Sequence, residues 1–298
     1  MTATDSTRTA GPAAHRLRGA DVGIPPRQLD FRLAEDMPRW VFADNRTTTT
    51  YLAVLSAFFP PGEEFFIRSV QRFADRVTDP TLRARVAGFT GQEVIHGREH
   101  DRLNELLRER GFTLEVAEKA IEVALGLLEL LPARQQLAAT AFMEHFTAVL
   151  AEETLAAEDR GEGHIHPDLA ELWLWHALEE LEHKSVSFEV YETVGDRWAE
   201  RLLAGPLVLA TVGPAMIVSW VWLMAAEGAL ARPPDVARGL RLLFGPGALL
   251  RNVFTKLPLF GRRDYHPNNR DTPELEARWR QLLFGPEGTL RDQLRRAV

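Results

Sequence analysis

The sequence contains two Glu-x-x-His motifs about ninety residues apart, each with one further histidine nearby. The motifs and their companions are Glu93-x-x-His96 with His100, and Glu180-x-x-His183 with His176. Residues three apart on an α-helix share a face, so each motif would direct one carboxylate and one imidazole at the same point. Two such helices facing each other could hold two metal ions. The pattern therefore predicts a helical protein built around a dinuclear metal centre.

The composition limits what else the chain can be. Its 298 residues are enough for one large domain or two small ones, and 45% hydrophobic with 26% charged residues is an ordinary globular balance. The formal charge of -7 gives no indication of nucleic-acid binding. The chain has no cysteine, which excludes disulfides, thiolate zinc sites and iron–sulfur clusters. Any metal must therefore be bound by oxygen and nitrogen, and we expect a cytoplasmic protein.

Long 3.6-residue periodicities predict an all-α protein. The predicted helices cover residues 63–77, 80–110, 115–131, 132–160 and 167–194, and we expect Pro60-Pro61-Gly62 to open the first. The third is a connector of about twenty residues, long enough to run back along a bundle. This favours a ferritin-like four-helix bundle with a long crossover. We expect residues 1–30 to form a flexible tail, residues 31–198 the metal-binding bundle, and residues 199–298 an apolar and basic helical extension.

Residues 202–226 carry no charge and are numerous enough to cross the hydrocarbon core of a bilayer. Pro206, Gly213 and Pro214 predict a kink or a break within this stretch. Basic residues predominate between positions 232 and 263, which would hold an apolar segment against anionic lipid. Contact with a membrane surface is one interpretation, and a buried hairpin or a homodimer interface is the other.

A dinuclear carboxylate site needs one glutamate from each of the two remaining helices. Glu63 is our choice on the first helix, with Glu64 as the alternative, and Glu144 is our choice on the third because residues 139–150 are otherwise largely apolar. A buried charge is costly unless something pairs with it, and a cation does so. Four carboxylates would balance two divalent ions. We expect iron, with manganese or zinc as alternatives. The predicted ligands are Glu63, Glu93, His96, Glu144, Glu180 and His183.

His100 and His176 each lie seven residues from a motif residue, on the same helical stripe. If their helices run antiparallel, both histidines converge at one end of the site. We predict that they act as catalytic acid or base groups, as extra ligands, or as hydrogen-bond partners of the ligands. Hydrogen-bonded core or surface positions are the alternative. Glu179 could replace Glu180 as a ligand, whereas we expect Glu99 and Glu182 to be solvated.

Several strings of residues together resemble one known family. They are Phe59-Pro60-Pro61-Gly62-Glu63, the run from Gln92 to His100, Glu144-His145-Phe146-Thr147, the run from His176 to Lys184, and Asp264-Tyr265-His266-Pro267. On these the chain resembles the predicted metal-dependent hydrolase family, within the ferritin-like superfamily. The resemblance implies a helical bundle with a metal site at the residues named above. His266 could approach that site from the C-terminal region, although a structural role is the alternative.

Three functions follow from such a site. We favour the O2-dependent oxidation of a small hydrophobic substrate by a di-iron pair, with electrons from a separate donor protein because no flavin or nicotinamide motif is present. The alternative is hydrolysis by a metal-bound hydroxide. The third is a non-catalytic, iron-handling or membrane-associated protein.

Overall fold

Helices form the regular structure of the protein. The structure, a computed structural model, describes residues 19–31, 33 and 37–295, and within these ranges it contains no β-strand. The helices are α1 (Arg46–Gln71), α2 (Pro80–Glu109), α3 (Glu115–Glu129), α4 (Ala133–Asp159), α5 (Pro167–His183), α6 (Val186–Thr193), α7 (Trp198–Ala226), α8 (Pro233–Phe244), α9 (Leu249–Lys256) and α10 (Pro273–Phe284). The all-α prediction is confirmed, while the ferritin-like arrangement stays a prediction.

Four of the helices surround the candidate site. α1 packs on α2 and α4, and α5 packs on α2 and α4. Helix α3, which connects α2 to α4 in the sequence, packs on α1 and α7. The C-terminal helices cover the outside, with α7 on α1, α3 and α4, α8 on α1, α9 on α4, and α10 on α4 and α5. One hydrophobic core runs through these elements.

Local signals determine where α2 begins and ends. The side chain of Asp79 caps the helix by accepting a hydrogen bond from Leu82 N, and Pro80 occupies the first turn, where its missing N–H costs nothing. After α2, Gly111 has a φ of 84°, which favours glycine at a helix end. The predicted boundaries of α2 are confirmed to within one residue.

The prediction that Pro60-Pro61 opens the first helix is wrong, because α1 begins at Arg46 and contains both prolines. Proline in a helix leaves the carbonyl four residues earlier without its donor. For Pro60 that carbonyl belongs to Ser56, and it accepts a hydrogen bond from Asn104 Nδ2 on α2 at 3.3 Å. A distant side chain therefore compensates locally for the lost backbone bond, so the helix continues.

Two further helix predictions need correction. The helix expected over residues 167–194 is divided into α5 and α6 at Lys184 and Ser185. Of the kink or break expected near Pro206 and Pro214, the break does not occur, since α7 is continuous and packs on three helices, while the kink stays a prediction. Among the described helices, α7 is long and apolar enough to cross a membrane by length and composition, and 33% of its most apolar 18 residues is buried.

Part of the predicted flexible tail is buried. Residues 1–18 lie outside the described residues, but Ile24, Arg27 and Leu29 are only 1%, 6% and 0% exposed. We call residues 24–29 the N-terminal strap. The strap crosses α2 at two glycines, because a Cβ on Gly88 would lie 2.5 Å from Ile24 O and one on Gly91 would lie 2.5 Å from the side chain of Pro26. Close approach of the N-terminal strap to α2 therefore explains both glycines.

Candidate metal centre

The six predicted ligands converge between α1, α2, α4 and α5. They are Glu63 on α1, Glu93 and His96 on α2, Glu144 on α4, and Glu180 and His183 on α5. Each is at most 4% exposed. The alternative residue Glu64 points away, since its side chain is 69% exposed and pairs with Arg68. The helical spacing therefore assembles the carboxylates and imidazoles that the sequence pattern selected.

Two groups of side chains have the spacing to hold a metal ion. Within each group, one potential ligand atom per residue lies within 4.8 Å of the others. The groups are Glu63, His96 and His176, and Glu93, Glu180 and His183. The two halves of the first Glu-x-x-His motif thus fall in different groups, whereas the sequence suggested one common point. His176 replaces Glu93 beside His96.

Two carboxylates lie between the groups. Glu180 Oε1 is 3.0 Å from His176 Nε2, 3.4 Å from His183 Nε2 and 3.6 Å from His96 Nδ1. Glu93 places Oε1 at 3.4 Å from His183 Nε2 and Oε2 at 3.9 Å from His96 Nδ1. Each carboxylate therefore reaches both groups, which suits a pair of neighbouring cations.

Unpartnered atoms test whether these residues fit metal ions. Among the described residues, nine buried oxygen and nitrogen atoms of the six predicted ligands have no hydrogen-bond partner. They are both carboxylate oxygens of Glu63, Glu93 and Glu144, Glu180 Oε2, His96 Nδ1 and His183 Nε2. Buried polar atoms are rarely left unpaired, and unpaired lone pairs facing one another repel. The residues fit cations, which would satisfy these atoms together.

The outer nitrogen of His183 is oriented by an amide. Gln92 Nε2 donates to Pro25 O and to Glu182 Oε2, so Gln92 Oε1 is the acceptor that faces His183 Nδ1 at 3.1 Å. His183 therefore carries a proton on Nδ1, which leaves Nε2, the nitrogen that faces the carboxylates, as the one that could bind a metal ion. A metal-binding histidine commonly has such a second partner, which fixes the tautomer.

His176 is oriented by a longer chain of hydrogen bonds. Asn104 Nδ2 donates to Ser56 O, so Asn104 Oδ1 accepts from Ser56 Oγ at 2.8 Å. Ser56 Oγ then accepts from His100 Nδ1 at 2.9 Å, and His100 Nε2 accepts from His176 Nδ1 at 2.7 Å. Nε2 of His176 lies 3.0 Å from Glu180 Oε1. With the proton held on Nδ1, Nε2 is the nitrogen that would bind a cation. The structure brings His100 and His176 together as predicted, with His176 at the ligand group and His100 behind it.

The N-terminal strap supports the same centre through Arg27. Its guanidinium donates to Glu179 Oε1 and to both oxygens of Glu182, all at 2.8 Å. Glu179 Oε2 lies 3.1 Å from His96 Nε2. Burial raises the pKa of Glu179 to about 8, although the charge of Arg27 opposes the increase. Glu179 is thus a partner of a ligand, and nothing places it in either ligand group.

The expectation that Glu99 and Glu182 are solvated is wrong. They are 1% and 9% exposed, because Glu99 pairs with Arg98 and Arg102 while Glu182 pairs with Arg27. Sequence reasoning missed Arg27 because it lies in a Pro-rich segment without periodicity. Gln92, which precedes the first motif, was part of the family resemblance but had no role assigned.

Burial and charge repulsion shift the acidities of the buried groups. Burial raises the pKa of Glu63 and Glu93 well above the usual value, and neighbouring carboxylates add to the increase. Burial also raises the pKa of Glu144 to about 8, although His183 opposes it. For His183, burial would lower the pKa, but Glu180 and Glu144 outweigh burial and raise it to about 9. Without metal, protons would occupy positions that cations could take.

A cavity of about 760 Å³ connects the centre to the surface. Its inner end reaches His176 and Glu180, and apolar side chains such as Leu52, Leu55 and Leu174 line its length. This volume lies in the range of sites for small organic molecules.

His266 lies away from the centre. Its Nδ1 accepts a hydrogen bond from Asn268 N, and its ring packs on Phe188. His266 therefore has a structural role.

The fold and these groups define an all-helical protein with two buried His/Glu clusters that could bind metal ions. Residues 25–271 match the family described as predicted metal-dependent hydrolase. The match covers most of the chain, so the protein belongs to this family. No curated protein and no solved structure shows a significant match to the chain. The family resemblance read from the motifs is confirmed, and the ferritin-like superfamily remains a prediction.

Proposed function

We propose that this protein is a metal-dependent hydrolase that binds two divalent cations between α1, α2, α4 and α5. The nine unpartnered ligand atoms carry the proposal, because two divalent cations would satisfy these buried atoms together. The family description supports hydrolysis. The O2-dependent oxidation favoured by the sequence alone has no support from the family, and neither has iron as the specific metal.

The residues of the centre would have two kinds of role, metal binding and positioning. When bound, a pair of divalent cations activates water and stabilises charge that develops on a substrate oxygen. Glu93 and Glu180 would hold the pair together, with Glu63, Glu144 and the three histidines of the two groups completing the ligands. His100 touches His176 and lies behind it, so we assign His100 a positioning role.

The substrate class follows from the cavity. Its apolar walls would exclude water and bind the hydrophobic part of a small molecule, and the inner end would present the bond to be cleaved beside His176 and Glu180. Carboxyl esters and phosphoesters with an apolar group have this character. Hydrolysis consumes only water, so it requires no separate electron donor.

The test is a metal-dependent activity assay. Protein loaded with zinc, manganese or anaerobic ferrous iron would be assayed on esters and phosphoesters of increasing apolar chain length. We expect hydrolysis that chelation abolishes and that Glu180→Gln reduces by about 100-fold or more. Glu152→Gln, on α4 but outside the centre, is the control. Absence of hydrolysis, together with O2 consumption or a new visible band when air reaches the ferrous protein, would favour oxidation or iron handling instead.

A further inference from the structure

An exposed apolar face extends over α7 and reaches α8 and α9. On α7 its members include Leu209, Ile217, Val221 and Trp222, which are 45–61% exposed. Trp220 then contacts Phe244 of α8, and Phe244 stacks on Phe254 of α9, each at 6.3 Å between ring centroids. Phe244 and Phe254 are themselves 38% and 47% exposed. Monomeric soluble proteins rarely leave so many large apolar side chains in water on one continuous surface.

The charge around this face is opposite to that of the rest of the chain. Residues 198–263 contain eight basic and three acidic residues, a net +5, whereas the whole chain carries -7, which leaves -12 for the remainder. All three acidic residues already have partners: Glu200 pairs with Arg134, Glu227 with Arg39, and Asp235 accepts from Asn45. Of the basic residues, Arg201 is buried, Lys256 pairs with Glu152 and Glu153, and Arg262 pairs with Asp264. Exposed Arg241 on α8 and Arg251 on α9 have no carboxylate partner within the described part of the chain. The face is therefore both apolar and positively charged.

We propose that the face formed by α7, α8 and α9 docks on an anionic lipid bilayer. An apolar helix surface flanked by arginines binds the interface of such a bilayer through buried apolar area and attraction to lipid headgroups. α7 lies along the surface and does not cross, since its other side packs on α1, α3 and α4. A second copy of the chain fits less well, because a two-fold interface would place this positive face against itself.

The cavity reaches the surface at the α8–α9 hairpin, where its lining residues Arg241, Pro246 and Gly247 are exposed. Arg241, Leu242 and Leu249 line it, and these residues belong to the α8–α9 hairpin that also carries Phe244 and Phe254. A docked protein could receive an apolar molecule from the bilayer through this opening. Delivery of a substrate rests on the proposed function, whereas docking itself does not.

The experiment measures binding of the full-length protein to vesicles of ether-linked lipids, which contain no acyl ester to hydrolyse. Because the chain has no cysteine, Ile217→Cys provides a single site for an environment-sensitive fluorophore, and Leu282→Cys on α10 provides the control. We expect a blue shift at position 217 with phosphatidylglycerol vesicles, a weaker one with phosphatidylcholine vesicles, and none at position 282.

Two variant pairs identify the contacts. Val221 and Leu282 are both 45% exposed, so Val221→Asp should reduce vesicle binding by about tenfold or more while Leu282→Asp leaves it unchanged. Arg241→Gln combined with Arg251→Gln should reduce binding by about thirtyfold, because each basic residue near an anionic surface contributes about fivefold. No binding, equal binding to both lipids, or a blue shift that depends on protein concentration without lipid would overturn the proposal. None of these readouts depends on hydrolysis.

Discussion

Asn104 determines which nitrogen of His176 carries the proton, although neither Asn104 nor Ser56 belongs to a ligand group. The orientation depends on the Ser56 carbonyl that Pro60 leaves free, because this carbonyl takes the amide protons of Asn104 and leaves Oδ1 for the Ser56 hydroxyl. The chain of bonds then passes through His100 to His176. A backbone irregularity in α1 is thus connected to a ligand on α5.

Ser56→Ala should therefore weaken metal binding. Removing the hydroxyl frees His100 to adopt the other tautomer, and loss of such a supporting partner typically costs about 10–100-fold in metal affinity. Ser69→Ala is the matched control, since Ser69 lies on the same helix, is equally buried and bonds to Thr140 away from the centre. Titration with zinc would measure both affinities. Equal affinities in the two variants would show that the chain of bonds does not orient His176.

Glu144 makes the metal-free protein sensitive to pH. Burial raises its pKa to about 8 in the folded state from the ordinary value of 4.5, so between these pH values the folded form holds a proton that the unfolded form has released. The unfolding free energy of the metal-free protein should therefore fall as pH rises from about 4.5 to 8.

Glu144→Gln should reduce the fall in unfolding free energy at pH 8 by about 2 kcal/mol or more, because each pKa unit corresponds to about 1.4 kcal/mol. The same substitution should weaken metal binding. Urea unfolding in the presence of a chelator, at pH values from about 4.5 to 8, would measure the change in unfolding free energy. Glu152→Gln is the opposite control: burial acts against ionisation there, but Arg270 and Lys256 outweigh it and lower the pKa of Glu152. Ionised Glu152 stabilises the fold above pH 4.5. Glu152→Gln should therefore not reduce the fall in unfolding free energy as pH rises toward 8.

At the scale of elements, α1 and α2 approach each other closely where Gly97 faces Glu63. A Cβ on Gly97 would lie 3.3 Å from Glu63 Oε2 and 3.7 Å from Pro60 Cα. Gly97→Val should therefore displace Glu63 and lower the metal content at the group of Glu63, His96 and His176. Gly126→Val on α3 is the control, because no atom lies within 4 Å of its Cβ position. Similar metal content in both variants would mean that this helix contact does not position Glu63.

The sequence predicted α2 and α4 well but α1 poorly, for physical reasons. Periodicity and a capping residue are local properties, so Asp79 and Gly111 were sufficient to bound α2. The continuation of α1 through Pro60 depends on Asn104, which lies far away in the sequence. The same distinction applies to the site. Four of the six predicted ligands follow from Glu-x-x-His spacing, whereas Arg27 acts through tertiary contacts that no local pattern encodes.

At the scale of the whole molecule, the N-terminal strap connects the metal centre to the C-terminal helices. Arg27 bonds to Glu179 and Glu182 of α5 and lies over the ring of Phe284 of α10, while Arg280 of α10 also pairs with Glu182. The predicted division into a tail, a bundle and a C-terminal extension therefore does not separate these contacts. The first and last parts of the chain meet at one side of the centre.

Arg27→Met should destabilise the protein by about 3–5 kcal/mol, because it leaves buried Glu179 without its cation and leaves Glu182 with Arg280 alone. It should also weaken metal binding by releasing Glu179 from its position beside His96. Arg68→Met is the control, since Arg68 is 42% exposed and an exposed ion pair contributes about 1 kcal/mol or less. Chemical unfolding of the two variants gives the comparison, and equal midpoints would contradict the structural role of the strap.

Anomalous X-ray diffraction from crystals of the metal-loaded protein would test the central claim most directly. Two anomalous peaks are expected between α1, α2, α4 and α5, one among Glu63, His96 and His176 and the other among Glu93, Glu180 and His183. A map without peaks at these positions, with metal bound elsewhere or absent, would contradict the account.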